Sequence, residues 1–356
     1  GAGGRGATAY VVRIGGPTIP INTATNTSGP PIRTGPDPQA IVITPDGKTA
    51  YVLSIPSQGA GPAIVIPIHT ATDTTGKPIR VGPNPIAIAI TPDGRTVYVS
   101  SQGSPGEVTP ISTATNTAGP PIKMGTLPGL IAITPDSKTA YVASGYHDVI
   151  TPINTATNRA GKPITVGPEG FVSAIAITPD GKVAYVADPV LHAVTPVHTA
   201  SGTVGRAIKV SRGLTSRMLI AITPDGRTAY VCSTSGSRLQ GTVVPIDLAT
   251  GTAGPGIKVG KLPRQMAITP DGKTVYVVNE GSRTVTPVST ATNTAGPPIR
   301  VGGDLTVIAI TPDGKTAYVV DQFSDTVTPI STATNTAGGP IRLGGRYAPV
   351  AIAITP

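Results

Sequence analysis

The sequence predicts an all-β protein, an eight-bladed β-propeller of four-stranded antiparallel blades. Three observations predict it: a hairpin written eight times, a repeat period in the propeller range, and two chain ends that each carry part of one unit. The stretch IAITPDGKTAYVV, residues 308 to 320, reads as two short apolar runs joined by a turn, and close copies of it run along the chain. Their Thr-Pro pairs begin at Thr44, Thr91, Thr134, Thr178, Thr223, Thr269, Thr311 and Thr355, giving spacings of 47, 43, 44, 45, 46, 42 and 44 residues. Strand-patterned periods of about 40 to 45 residues belong to propeller blades, units that bury their faces only against neighbours.

In the last full unit the four strands are expected at TVIAIT (306 to 311), TAYVV (316 to 320), TVTPI (326 to 330) and GPIRL (339 to 343), each bounded by Gly, Pro, Asn or Asp. The first strand alternates Ile and Ala, which puts large and small side chains on opposite faces so that adjacent blades can interdigitate. Pro-Asp-Gly joins it to the second strand: Pro fixes φ at the first central position and Gly supplies positive φ. The second strand carries a Tyr-Val pair in all eight units, and burying such side chains contributes about 1.5 to 3 kcal/mol apiece. In the third strand Pro20, Pro67, Pro110, Pro152, Pro196, Pro245, Pro287 and Pro329 cannot donate to a ladder, so a bulge or a locally unpaired fourth strand is expected at that level.

The chain opens with GATAYVV, a second strand, and stops with VAIAITP, a first strand without a successor. Pairing these ends completes a blade and closes the ring without a free sheet edge, the velcro closure of propellers. Residues 1 to 356 are thus read as a single propeller domain of eight blades, with seven as the alternative if one unit is degenerate.

Composition excludes several classes. Hydrophobic residues make up 38%, enough to build a core despite 44 Gly and 39 Pro. The net charge of +9 implies weak attraction to polyanions or acidic surfaces. Cys232 follows a Tyr-Val pair and is read as a small buried side chain; one cysteine forms no disulfide framework. No apolar run approaches the roughly 18 residues of a membrane span, and GAGGRG is neither a signal peptide nor an anchor. The absence of Trp and of CxxCH disfavours tryptophan-docked quinoproteins and haem attachment, so no cofactor is expected. No GxSxG elbow is present, and no helix follows the GxG of GAGGRG to cradle a phosphate.

The YVVN at Tyr276 to Asn279, the PDGKTAYV hairpin and the STATNTAGPPI loop resemble the YVTN-family β-propeller repeat, found in archaeal surface-layer proteins and in bacterial secreted or multidomain proteins. The likeness covers essentially the whole chain. It implies a propeller scaffold at the cell surface or outside the cell, and the family has no common catalytic residues to carry over. Its better known members are often seven-bladed, so a count of eight departs from the pattern.

Loop lengths within the chain select one face. Thr of the Thr-Pro pair lies seven residues before the repeated Tyr in all seven complete hairpins, and segments such as NTATNTSGPPI (22 to 32) keep eleven residues in all eight units. The step from repeated Tyr to third-strand Pro runs instead from 10 to 16 residues, and that from fourth-strand Ile to Thr from 12 to 15. In an antiparallel meander the two variable connections share one end of the ring, around the channel mouth, where loops on a rigid scaffold carry function. The non-repeated aromatics Tyr146, Phe171, Phe323 and Tyr347 all fall there, and so do Arg212, Arg217, Arg238, Lys261 and Arg264 of blades 6 and 7, facing Asp304, Asp321 and Asp325 of blade 8. Aromatics and Arg are favoured interface anchors. A further belt of Arg33, Arg80, Lys123, Lys209, Lys258, Arg300 and Arg342 marks the fourth strands, where cations oppose edge pairing or bind an anionic polymer.

For metal chemistry the only candidates are His147 and His192, in the second-to-third loops of adjacent blades 4 and 5, with Asp148, Asp188 and Glu169 nearby. His69 and His198 occupy one repeat position in separate blades. The expected function is therefore non-catalytic: a binding or scaffold propeller, extracellular or at the cell surface, taking a protein or peptide through the variable loops, with an anionic polymer as a further partner, nucleic acid not expected, and a monomer favoured. The alternative is a metal-assisted lyase or hydrolase built on His147, His192 and the nearby carboxylates.

Overall fold

The computed structural model describes residues 6–356 except 57–61, 126, 145–146, 169, 211–216, 236–238 and 346. Eight separate antiparallel sheets make up the structure, and no helix occurs among the described residues. Blade 1 is formed by Thr8–Ile14, Ile19–Asn22 and Thr27–Ser28 together with the last strand of the chain, Ala348–Ile354. Blades 2 to 8 start at Pro38–Ile43, Pro85–Ile90, Pro128–Ile133, Ala174–Ile177, Met218–Ile222, Pro263–Ile268 and Leu305–Ile310. The eight first strands touch one another in order around a circle that includes Ala348–Ile354. Closure is by antiparallel pairing of Ala9 with Ile354 through Ile14 with Ala348, interrupted by a register shift after Val12.

Each blade is a meander in which the second strand is the middle of the hydrophobic sandwich. The Tyr, Val and small residue of that strand are buried in every unit, and the buried apolar residues fall into eight clusters, one for each seam between blades. The cluster joining Ala9, Val11 and Ile21 to Tyr318, Val320 and Val327 closes the ring with the same packing as the others. First-strand residues are only half-buried along most of their length, because one side faces a neighbouring blade and the other the middle of the ring.

The third-strand prolines act as expected. Pro110 sits opposite Tyr98, and its carbonyl accepts from Gly119 N at 2.8 Å; N and C=O of a strand residue point the same way, so the missing donor also faces the outer segment. The fourth strand is accordingly broken in two in blade 3, with Thr117–Ala118 pairing at one end of the third strand and Ile122–Lys123 at the other. The same break recurs in blade 2 and in blades 4, 6, 7 and 8.

The repeated polar letters tie blade to blade at the constant end. The hydroxyls of Tyr51, Tyr98, Tyr230 and Tyr276 donate to Asn116, Asn158, Asn293 and Asn335 of the following blade at 2.5 to 2.7 Å, and Tyr318 reaches Asn26 across the closure at 2.5 Å. Each of these asparagines has φ between 52° and 55°, a conformation Asn tolerates well. In the seven complete hairpins the Thr of the Thr-Pro pair donates to the Asp of its own turn, as in Thr311 to Asp313 at 2.6 Å. Much of the invariant lettering is thereby accounted for as scaffold.

Candidate functional site

Toward the other end of the ring, every second strand carries a buried polar residue three after its repeated Tyr: Arg13, Ser54, Ser101, Ser144, Asp188, Ser233, Asn279 and Asp321. Sequence reading did not single out this position. The signal was available, since the residue three after the repeated Tyr is polar in all eight units although it follows an apolar run. These groups organise the variable loops. Asp321 accepts from the backbone N–H of Gly303, Asp304, Phe323 and Ser324. Burial works to raise its pKa, but the bonds from Gly303, Asp304 and Ser324, together with the Ser324 side chain, outweigh it and hold the carboxyl below its ordinary value.

Of the residues expected to form the docking face, Tyr146, Arg212 and Arg238 lie outside the described residues, as does Glu169 of the metal candidates. Phe323 is 88% exposed on the blade 8 loop, while Phe171 is half-buried. Tyr347 is 39% exposed, and one face of its ring lies 4.9 Å from the guanidinium carbon of Arg13. Arg217, Lys261 and Arg264 are exposed at the channel end of blades 6 and 7. Partial desolvation first, then the charge of Arg264, lowers the pKa of Arg217 from its ordinary value. Arg264 forms an ion pair with Glu280, and Asp304 stands beside that pair, raised by burial and by Glu280.

The expected dipole across the mouth is therefore altered. Asp321 is consumed by its own loop, Asp325 is buried against Arg13, and Asp304 adjoins the basic group instead of facing it from a distance. The apolar side chains sort more clearly. Eight large apolar residues are exposed among the described residues, and seven of them (Ile86, Leu127, Leu130, Val190, Leu239, Phe323 and Tyr347) lie at the variable end; only Val204 does not. The basic belt is exposed on the outermost segments in all seven cases.

The metal candidates separate. Asp148 and Asp188 meet across the seam between blades 4 and 5, at 4% and 2% exposure. Burial first, then the charge of Asp188 close by, push Asp148 up to about 7. His147 is exposed and lines the same cavity of about 430 Å³, together with Asp148, Thr165, Gly167 and Gly170. His192 has φ 52° in the next blade's loop. Among the described residues no group of three or more His, Cys, Asp or Glu side chains is placed to hold a metal ion. Cys232 is buried, and burial pushes its thiol up, which leaves it unreactive.

A cavity of about 770 Å³ opens at the constant end between blades 5 and 6, lined in part by Tyr185, His198, Asp225 and Asp247. It coincides with a lost strap: blade 6 has Gly251 where most blades have Asn.

No protein-family model matches the chain, and no curated protein matches it. Among solved structures it is similar to Kuenenia stuttgartiensis hydrazine synthase, with 25% identity, TM-score 0.66 and coverage of 83% of this chain and 96% of that one. It is similar to the dihydro-heme d1 dehydrogenase NirN, with 15% identity, TM-score 0.80 and coverage of 97% and 74%. A 6-phosphogluconolactonase candidate of Bacteroides fragilis matches at 16% identity and TM-score 0.63, over 100% and 99%. These likenesses establish a propeller and extend no further, since the ring they share serves proteins named as enzymes of different chemistry.

Proposed function

We propose that this protein is a non-catalytic binding or scaffold propeller of the YVTN-repeat type, working at the cell surface or outside the cell and docking a protein or peptide on its variable end. The observation that carries this reading is the gathering of seven of the eight exposed large apolar side chains at that end. A soluble scaffold gains nothing from exposing them, whereas an interface core is built from such anchors. Arg217, Lys261 and Arg264 beside them favour a ligand that combines an apolar or aromatic residue with an acidic one. The metal-assisted lyase or hydrolase alternative has no assembled constellation of metal-holding side chains among the described residues to favour it.

The test is selection of a random peptide library on the immobilised protein. Enriched peptides should carry an apolar residue near an acid, and should bind a Phe323→Ala, Val190→Ser, Ile86→Ser variant at least 10-fold more weakly, about 1.4 kcal/mol. Peptides that bind the triple variant as well as the parent would remove the proposal.

A further inference from the structure

Two repeat positions meet across a seam at the variable end: the residue four before the third-strand proline of one blade, and the residue three after the repeated Tyr of the next. Between blades 8 and 1 these are Asp325 and Arg13. Arg13 is 1% exposed; its Nη1 lies 3.2 Å from an Asp325 oxygen and donates to the carbonyls of Leu343 and Gly344 at 3.2 and 3.3 Å. Between blades 4 and 5 the same positions hold Asp148 and Asp188. The correspondence is structural: Leu343 N donates to Asp325 O at 3.1 Å, and Val166 N donates to Asp148 O at 2.7 Å. Val166 and Gly167 therefore stand where Leu343 and Gly344 stand.

At the other seams the same two positions hold Gly16 and Ser54, Ala63 and Ser101, Gly106 and Ser144, His192 and Ser233, Gly241 and Asn279, and Arg283 and Asp321. Only the seam between blades 4 and 5 sets like charges against each other. Neither oxygen of Asp148, nor Oδ2 of Asp188, has a hydrogen-bond donor, although both residues are more than nine-tenths buried. Two ionised carboxylates in that position repel and lack hydration. Their free oxygens converge: a Cβ on Gly170 would lie 2.5 Å from Asp188 Oδ2 and 2.8 Å from Asp148 Oδ2, and one on Gly167 would lie 2.5 Å from Asp148 Oδ2. The cavity of about 430 Å³ beside Asp148 gives access from solvent.

We propose that the seam between blades 4 and 5 is a divalent-cation site, Asp148 and Asp188 binding Ca²⁺ where the seam between blades 8 and 1 carries the guanidinium of Arg13. The available donors are carboxylate oxygens and, by repeat equivalence, the carbonyls of Val166 and Gly167. An all-oxygen set on loop backbone suits Ca²⁺ over Zn²⁺. The dissociation constant expected of an extracellular module is on the order of 0.1 to 1 mM. The site goes beyond the docking proposal and does not depend on it.

The test is thermal unfolding of the whole chain at pH 8 in chelator and over a CaCl₂ series, with isothermal titration of CaCl₂ and MgCl₂. Saturable heat with CaCl₂ and a Tm rise of a few degrees, both lost in Asp148→Asn and Asp188→Asn, are expected. Gly170→Ala should also abolish the response by filling the cradle without altering charge. No saturable CaCl₂ effect up to about 10 mM in the parent, or an equal effect in parent and variants, would overturn the site. So would a Tm that responds to pH alone, which is the behaviour of a shared proton.

Discussion

The seams between blades 8 and 1 and between blades 4 and 5 have one backbone and opposite electrostatics. In the first, an arginine from the second strand of one blade enters the loop corner of another and is met by a carboxylate, two carbonyls and an aromatic ring. In the second, a carboxylate enters the equivalent corner and meets a carboxylate. The repeat thus imposes where two side chains will meet, while leaving their charge open. A seam that can be completed from within the chain acts as a rivet; one that cannot is left asking for a proton or a cation. Arg13 sits on the strand that seals the ring, so the rivet falls where two distant parts of the chain must hold together.

The largest predicted effect breaks the riveted seam. Arg13→Ala leaves Asp325 buried at 7% exposure without its cation, and its pKa, already raised by burial and pulled back by Arg13, loses that counterweight. Removing one partner of a buried pair costs about 3 to 5 kcal/mol. Urea denaturation monitored by circular dichroism should register that loss, with Tyr347 surrendering its stacked guanidinium at the same time. A change under about 1 kcal/mol would mean that the closure rests on strand pairing and packing alone.

The second prediction concerns the unriveted seam in chelator. The folded-state value of Asp148, near 7, lies above the unfolded value near 3.9, so between these limits the folded state holds more protons than the unfolded one. Stability should therefore fall as pH rises from about 4 to about 7, and level off beyond. Asp188 is the charged group that faces Asp148 across the seam, and His147 lines the cavity beside it. Asp148→Asn removes the titrating group, and its unfolding free energy should be flatter over that interval. A parent protein as stable at pH 7 as at pH 5 in chelator would contradict the pairing.

Much of the ring was legible in the sequence because its causes are local. Pro-Asp-Gly, the Tyr-Val pair and the third-strand prolines each act within a few residues of themselves, and the break in the fourth strand follows from a missing N–H. The choice of variable end was legible for a related reason, since loop lengths are read along the chain. What was hidden is the pairing across seams. Asp148 and Asp188 were noticed as carboxylates near two histidines, but their contact joins residues forty apart and depends on the register of two blades. Arg13 attracted no notice, being one basic residue near the start of a strand. Both appear once the units are stacked in columns and the residue three after each Tyr is compared.

The smallest predicted effect sharpens the comparison at the opposite end of the seams. Tyr318 donates to Asn26 and Thr23 across the closure, whereas blade 6 has Gly251 at the Asn position opposite Tyr185. Tyr318→Phe keeps the ring and deletes the hydroxyl, leaving Asn26 short of a partner, so a loss of about 0.5 to 1.5 kcal/mol is expected. Tyr185→Phe should cost less, because no asparagine side chain in the next blade depends on its hydroxyl, which borders an open cavity. Equal losses from the two substitutions would show that burial of the phenol, and not the strap to the next blade, explains why the Tyr position is held in every unit. Unequal losses in the expected order would make the seam between blades 5 and 6 the weakest at the constant end, the first to open on heating and the one where hydrogen exchange should be fastest.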